Sequence, residues 1–340
     1  MKINWRIAGV IMVVFCAGFH LHAQPIGTKP ESIESINAKA EAGDAIAQET
    51  LGRYYGSGIG VAKNEAESAK WWRKAAEQDV PEAQVHLGVC YDGGIGVPKD
   101  VAEAIKWFRK AALQNVPQAE YNLGLCYQTG QGVVKDEVEA VNWYRKSAEQ
   151  GFTDAQYNLG CCYEHGQGVA KDWVEAVHWY RKAAEQNVAK AQFTMGCCYE
   201  SGFGVTEDGV EAVNWYLKAA AQNNADAQFR LGVCSETGRG GVTNLPMAVS
   251  WYRKAAEQKQ TEAFVNLGLC YFQGKGVSKD YVEAVKWYFK AAAQGSARAQ
   301  CNVGLCYQDG EGVVKNETEA IKWFRMASEQ GDPDAEVDLV

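Results

Sequence analysis

One pattern constrains this chain more than any other: a tryptophan returns every 36 residues, as Trp71, Trp107, Trp143, Trp179, Trp215, Trp251, Trp287 and Trp323. Each is followed by Trp, Phe or Tyr, and each copy carries an Ala-x-x-x-[Leu/Met/Val]-Gly segment ahead of it, in register through eight copies without an insertion. Self-similarity at this period selects a repeat architecture, in which one copy cannot bury its own apolar face and stacking on its neighbours closes the core. The length of 340 residues, which would otherwise suggest two domains, therefore reads as one array.

A single copy shows how its elements form. Ala155, Leu159, Cys162 and Tyr163 fall at the spacing of a buried helical stripe, which predicts a helix A over Asp154 to Glu164. The run Gly166-Gln167-Gly168-Val169 supplies the positive φ that a tight turn out of a helix needs. Asp172 then predicts an N-cap, and Glu175 three residues later completes the pattern of a capping box. Helix B buries Ala176, Trp179, Tyr180 and Ala183 and stops at Asn187, where other copies have Gly, Asn or Asp except at Lys259. Gly160 recurs inside helix A in every copy; glycine costs roughly 1 kcal/mol there, so helix B must cross too closely for a side chain. The expectation is all-α: an α-solenoid superhelix of helix–turn–helix repeats.

The ends follow a different logic. Lys2 and Arg6 precede an apolar stretch from Ile7 to Phe19 and then Leu21-His22-Ala23, which predicts an export signal over residues 1–23. Residues 24–46 read as a short lead and a capping helix, 47–334 as the eight copies, and 335–340 as the start of a further helix A. No other apolar run is long enough to span a bilayer, so the expectation is a secreted or periplasmic protein without membrane insertion once the signal is removed. A net charge of −8 argues against nucleic acid and anionic membrane as partners.

The pattern A-Q-x-x-L-G-x-x-Y…G-x-G-V-x-[KE]-[DN]-x-x-E-A-[VI]-x-W-[YF]-x-K-A-A resembles the Sel1-like repeat, a relative of the tetratricopeptide repeat, over about residues 47–334. The sixth copy departs from it at Ser235, Gly241 and Met247, where a looser turn is expected. The resemblance implies a scaffold whose inner groove is lined by helix A. Carried over by position, Tyr121, Tyr157, Phe193 and Phe229, flanked by Val85 and Val265, would form an aromatic ridge. One residue later, Asn122, Asn158, Arg230, Asn266 and Asn302, with His86 and Thr194, would hold an extended peptide backbone. Asp92, Glu164, Glu200 and Glu236 would give the groove an acidic margin. The rival reading is that these rings and amides fill the seam between helices.

Catalysis finds little support. His86, His165 and His178 occupy three different repeat positions, and the G-x-G turns follow helices instead of strands. Exported cysteine-rich relatives suggest an alternative role in handling cell-wall fragments or β-lactams, but S-x-x-K, S-D-N and K-T-G are absent from the sequence. Cys90, Cys126, Cys162, Cys198, Cys234, Cys270 and Cys306 recur one period apart on the buried stripe, where a thiol acts as a small hydrophobe. Neighbouring helix axes about 8–10 Å apart disfavour a disulfide ladder, although export leaves oxidation open. A thiol-rich redox or metal-buffering protein, with Cys161 and Cys197 as extra thiols, is the third reading. The expected activity is binding of a protein or peptide, with no enzyme chemistry, no cofactor and no metal.

Overall fold

The computed structural model describes residues 32–331, so the expected leader, residues 24–31 and the expected terminal segment 335–340 lie outside the described residues. Among the described residues there are seventeen helices and no strand. The chain divides into two compact units, residues 1–155 and 156–340. The first holds α1 (Ile33–Glu41), α2 (Ala45–Ser57), α3 (Glu65–Glu77), α4 (Pro81–Gly93), α5 (Val101–Leu113), α6 (Pro117–Thr129) and α7 (Glu137–Glu149). The division falls within α8 (Thr153–His165). The second unit continues with α9 (Trp173–Glu185), α10 (Ala189–Ser201), α11 (Gly209–Ala221), α12 (Ala225–Thr237), α13 (Leu245–Glu257), α14 (Thr261–Gln273), α15 (Tyr281–Ala293), α16 (Ala297–Asp309) and α17 (Glu317–Ser328). Even-numbered helices are the A helices of the repeat and odd-numbered ones, from α3 on, the B helices. The fold is an all-α solenoid of helix–turn–helix repeats, as the period requires.

In the first unit, α1 packs Ile36 and Ala40 on Ala47, Leu51 and Trp71. Behind it, Ala104, Phe108 and Ala111 of α5 close on Ala119, Leu123 and Cys126 of α6. The second unit repeats this plan: Ala176, Tyr180 and Ala183 of α9 pack with Ala191, Met195 and Cys198 of α10. The second aromatic of the B helix is fully enclosed in six copies, as Tyr144, Tyr180, Tyr216, Tyr252, Tyr288 and Phe324. Gly160 explains how they fit. A Cβ on it would lie 2.6 Å from Cδ1 of Tyr180, so the helical cost of glycine is offset by a ring lying flat on the A-helix backbone.

The B helices begin where the cap residues stand. Asp172 accepts from the N–H groups of Val174 and Glu175, as Asn64, Asp136 and Asp208 do from the corresponding pair, while Asp100, Asn244, Asp280 and Asn316 accept from the second of the two alone. The capping box closes differently from the expectation. The backbone N–H of Asp172 donates to the carbonyl of Tyr163 on the preceding A helix (2.9 Å), leaving that N–H no need of Glu175. In other copies the glutamate pairs forward instead, as Glu103 does with Lys106 (2.7 Å) and Glu283 with Lys286 (2.9 Å). The turns into these caps are held tightly. Gly204 has φ +67°, and a Cβ there would collide with the carbonyl oxygen of Trp173 at 2.1 Å, so its glycine docks the turn on the preceding B helix.

Candidate binding surface

In the first unit, α6 carries Tyr121 and Asn122 one above the core. Tyr121 is half-buried, its ring 5.8 Å from that of Tyr144 and 5.3 Å from Phe152. The Asn122 side-chain nitrogen is buried without a hydrogen-bond partner. Asp92 on α4 accepts from Nε2 of Gln131 in the turn of the next copy, and burial raises its pKa against the pull of Lys99 and Gln131. Val85, expected at the end of the ridge, is only 2% exposed: a short branched side chain sinks wholly into the seam.

The second unit carries the ring of this row three times, on α8, α10 and α12. Tyr157 is half-buried, leans on Tyr180 at 5.3 Å and lies under the Lys190 ammonium at 4.5 Å. Phe193 and Phe229 are half-buried and each stands 5.8 Å from the enclosed tyrosine of its own copy, Tyr216 and Tyr252. Val265 is buried like Val85, for the same reason. Asn158, Arg230, Asn266 and Asn302 are all half-buried, and the Asn302 side-chain nitrogen is another buried donor without a partner.

The expected acidic margin has a structural duty. The hydroxyls of Tyr180, Tyr216 and Tyr252 donate to Oε2 of Glu164 (2.5 Å), Glu200 (2.5 Å) and Glu236 (2.7 Å). Each carboxylate thereby satisfies the polar tip of a buried ring, which would otherwise cost about 1–3 kcal/mol. Glu200 has the densest surroundings: Arg239 donates to its Oε1 at 2.6 Å and Arg230 stands 3.9 Å from Oε2. The Tyr216 hydroxyl also lies 3.5 Å from Sγ of Cys197.

Two further networks went unread in the sequence. Gln78, Gln114, Gln186, Gln222, Gln258 and Gln330, each at the end of a B helix, donate to the side-chain oxygens of Gln48, Gln84, Gln156, Gln192, Gln228 and Gln300 at 2.7–2.9 Å. The buried A-helix glutamine then donates to the last turn of the preceding B helix, as Gln84 does to the Ala76 carbonyl (3.3 Å) and Gln192 to Ala184 (3.1 Å). Helix B arginines also reach the next A helix, with Arg73 on the Tyr91 hydroxyl and Arg253 on that of Tyr271 (2.9 Å). The available signal was the recurrence of glutamine directly after the opening alanine and again at the helix B end.

The ladder cysteines Cys90, Cys126, Cys162, Cys198, Cys234, Cys270 and Cys306 are buried, and all ten described cysteines are free thiols. Burial pushes Cys90, Cys126, Cys198 and Cys306 up to about 12 and Cys197 up to about 11, far from a reactive thiolate.

With this geometry in view, the sequence matches the Sel1 repeat eight times, over residues 45–80, 81–116, 117–152, 153–188, 189–224, 225–259, 262–296 and 297–332. No curated protein matches the chain. Among solved structures, a protective antigen of uropathogenic Escherichia coli strains displaying an SLR fold is similar, with a TM-score of 0.86 and 37% identity. That match covers 91% of this chain and 66% of the antigen, so this chain spans slightly less than two thirds of its length. A Sel1 repeat protein from Oxalobacter formigenes matches with a TM-score of 0.69 and 30% identity, covering 92% of this chain and 94% of that one.

Proposed function

The chain belongs to the Sel1 repeat family, and from that premise we propose that it is a non-catalytic scaffold that binds a protein or peptide partner on the A-helix faces of its repeats, outside the cytoplasm. Sel1 repeat proteins are generally protein-interaction scaffolds. The observation that carries the reading is the recurring half-buried ring on α6 in the first unit and on α8, α10 and α12 in the second, beside Asn122, Asn158, Thr194 and Arg230. A ring anchored at its base and open at one edge offers apolar contact at little entropic cost, as interaction hot spots do. Beside the row, Arg230 adds a half-buried cation. An exported location is supported by Lys2, Arg6 and the apolar Ile7 to Phe19. Among the described residues no helix is long and apolar enough to cross a membrane.

The test uses Phe193→Val with Phe229→Val, residues that the fold already accepts at Val85 and Val265. Peptides selected from a phage-displayed random library against the intact protein should bind the double variant at least about tenfold more weakly, a loss of about 1.4 kcal/mol. The melting temperature should stay nearly unchanged. Equal binding to both proteins would remove this face as the site. A collapse of helical circular dichroism would instead assign the rings to the core, where losing an aromatic costs about 3–5 kcal/mol.

A further inference from the structure

Glu120 is one of two exceptions in the glutamine ladder, the other being the apolar Phe264. At its position after the opening alanine, Gln48, Gln84, Gln156, Gln192, Gln228 and Gln300 stand in six other copies. Those amides work in two directions. Their oxygen accepts from the glutamine at the end of the same copy's B helix, and the nitrogens of Gln48, Gln84, Gln192 and Gln228 donate to the carbonyl eight residues earlier, of Ala40, Ala76, Ala184 and Ala220. Glu120 keeps the first bond, accepting from Nε2 of Gln150 at 2.6 Å. An ionised carboxylate has no hydrogen with which to make the second. Its counterpart carbonyl is that of Ala112 in the last turn of α5, the negative end of that helix, where an anion is disfavoured.

The side chain is 2% exposed, at the edge of a surface cavity of about 590 Å³. The charged groups lining that cavity, Lys146 and Glu149, both come from α7; α5 contributes Ala112 and Leu113, and the turn after it Asn115. Lys146 is partly engaged, its ammonium 4.2 Å from the centre of the Trp143 ring.

We propose that Glu120 makes the α5–α6 seam of the first unit a proton-operated joint: protonated, it donates to the Ala112 carbonyl as the glutamines do, and ionised, it sets acceptor against acceptor and loosens the seam. Burial raises the Glu120 pKa, against the opposing pull of Lys146 and of the bond from Gln150. With the folded value above the unfolded one, the linked stability is complete below the unfolded pKa and is lost as pH rises through the folded one.

The test is Glu120→Gln, which installs the residue of the neighbouring copies and so preserves the fold. Thermal melts of the full chain from pH 4.5 to 8 should show the variant more stable by about 2–4 °C at pH 8, the gap closing toward pH 4.5. Gln192→Glu, whose neighbour Asn187 corresponds to Asn115, should transplant the behaviour to the fifth copy, lowering stability at pH 8 and recovering it toward pH 4.5. A gap that is constant across pH, a parent more stable than Glu120→Gln at pH 8, or a Gln192→Glu protein with no pH-dependent loss would each overturn the proposal.

Discussion

His86 stands where Asn122, Asn158, Asn266 and Asn302 stand in other copies, and its surroundings suit a neutral ring. It stacks on Trp72 at 4.6 Å, its buried Nδ1 has no hydrogen-bond partner, and Oε1 of Glu49 is 3.9 Å away. Burial first, and the Arg53 charge second, lower its pKa to about 4. Because the folded value lies below the unfolded one, the linked stability is full above about 6.5 and is lost as pH falls toward 4. We expect parent and His86→Asn to melt alike in their pH trend above pH 7. Below it the parent should fall away from the variant by about 2–4 °C for each kcal/mol lost; parallel curves between pH 7 and 4 would refute this. At this scale the sequence is only half legible. Helical spacing put Tyr157 and Glu164 in rows, but that Tyr180, sixteen residues on, bonds Glu164 depends on how closely two helices cross. Gly160 announced that closeness without saying which side chain would use it.

Helix ends were the most readable elements, because capping is local chemistry. Asp and Asn at one place per copy marked the starts of the odd-numbered helices from α3 to α17, and the stops follow from residues that tolerate positive φ, such as Asn187 (65°) and Gly295 (84°). What the local pattern could not supply was the tertiary bond from the cap N–H to the preceding A helix, which displaced half of the expected capping box. Lys259 is the stop that breaks the rule, holding φ 63° with a full side chain. Left-handed backbone costs a non-glycine residue about 1–2 kcal/mol, part of which glycine would return as greater freedom in the unfolded chain. Lys259→Gly should therefore raise stability by about 0.5–1 kcal/mol, measured as a higher urea midpoint with an unchanged helical signal. An unchanged or lower midpoint would show that the strain is relieved elsewhere.

For the molecule as a whole, the architecture was legible because repetition multiplies a weak local signal eightfold, whereas the candidate surface was legible only as positions. The sixth copy illustrates the limit. Ser235 and Gly241 suggested a loose turn, yet the Asn244 N–H still donates to the Ser235 carbonyl at 2.8 Å. What changes is side-chain bonding: with Leu217 in place of arginine and Ser235 in place of tyrosine, that seam lacks both members of the pair that Arg181 and Tyr199 form at 2.8 Å. Since contacts run between neighbours, removing residues 189–224 of the second unit, one full period, should leave a soluble protein with the same helicity per residue. Circular dichroism decides this, and a largely unfolded deletion would show that stability depends on more than adjacent copies.

The glutamine ladder also bears on how such a chain changes through inheritance. An amide that takes one partner from its own copy and another from the copy before it makes junctions of the ordinary copies interchangeable. An unequal crossover between their coding segments would lengthen or shorten the protein by 36 residues while leaving the ladder unbroken. Copies carrying Glu120, or Phe264 with the substitute bond from Thr261 to Gln294, do not share that anonymity. Gaining or losing one of them would alter the protein's chemistry as well as its length.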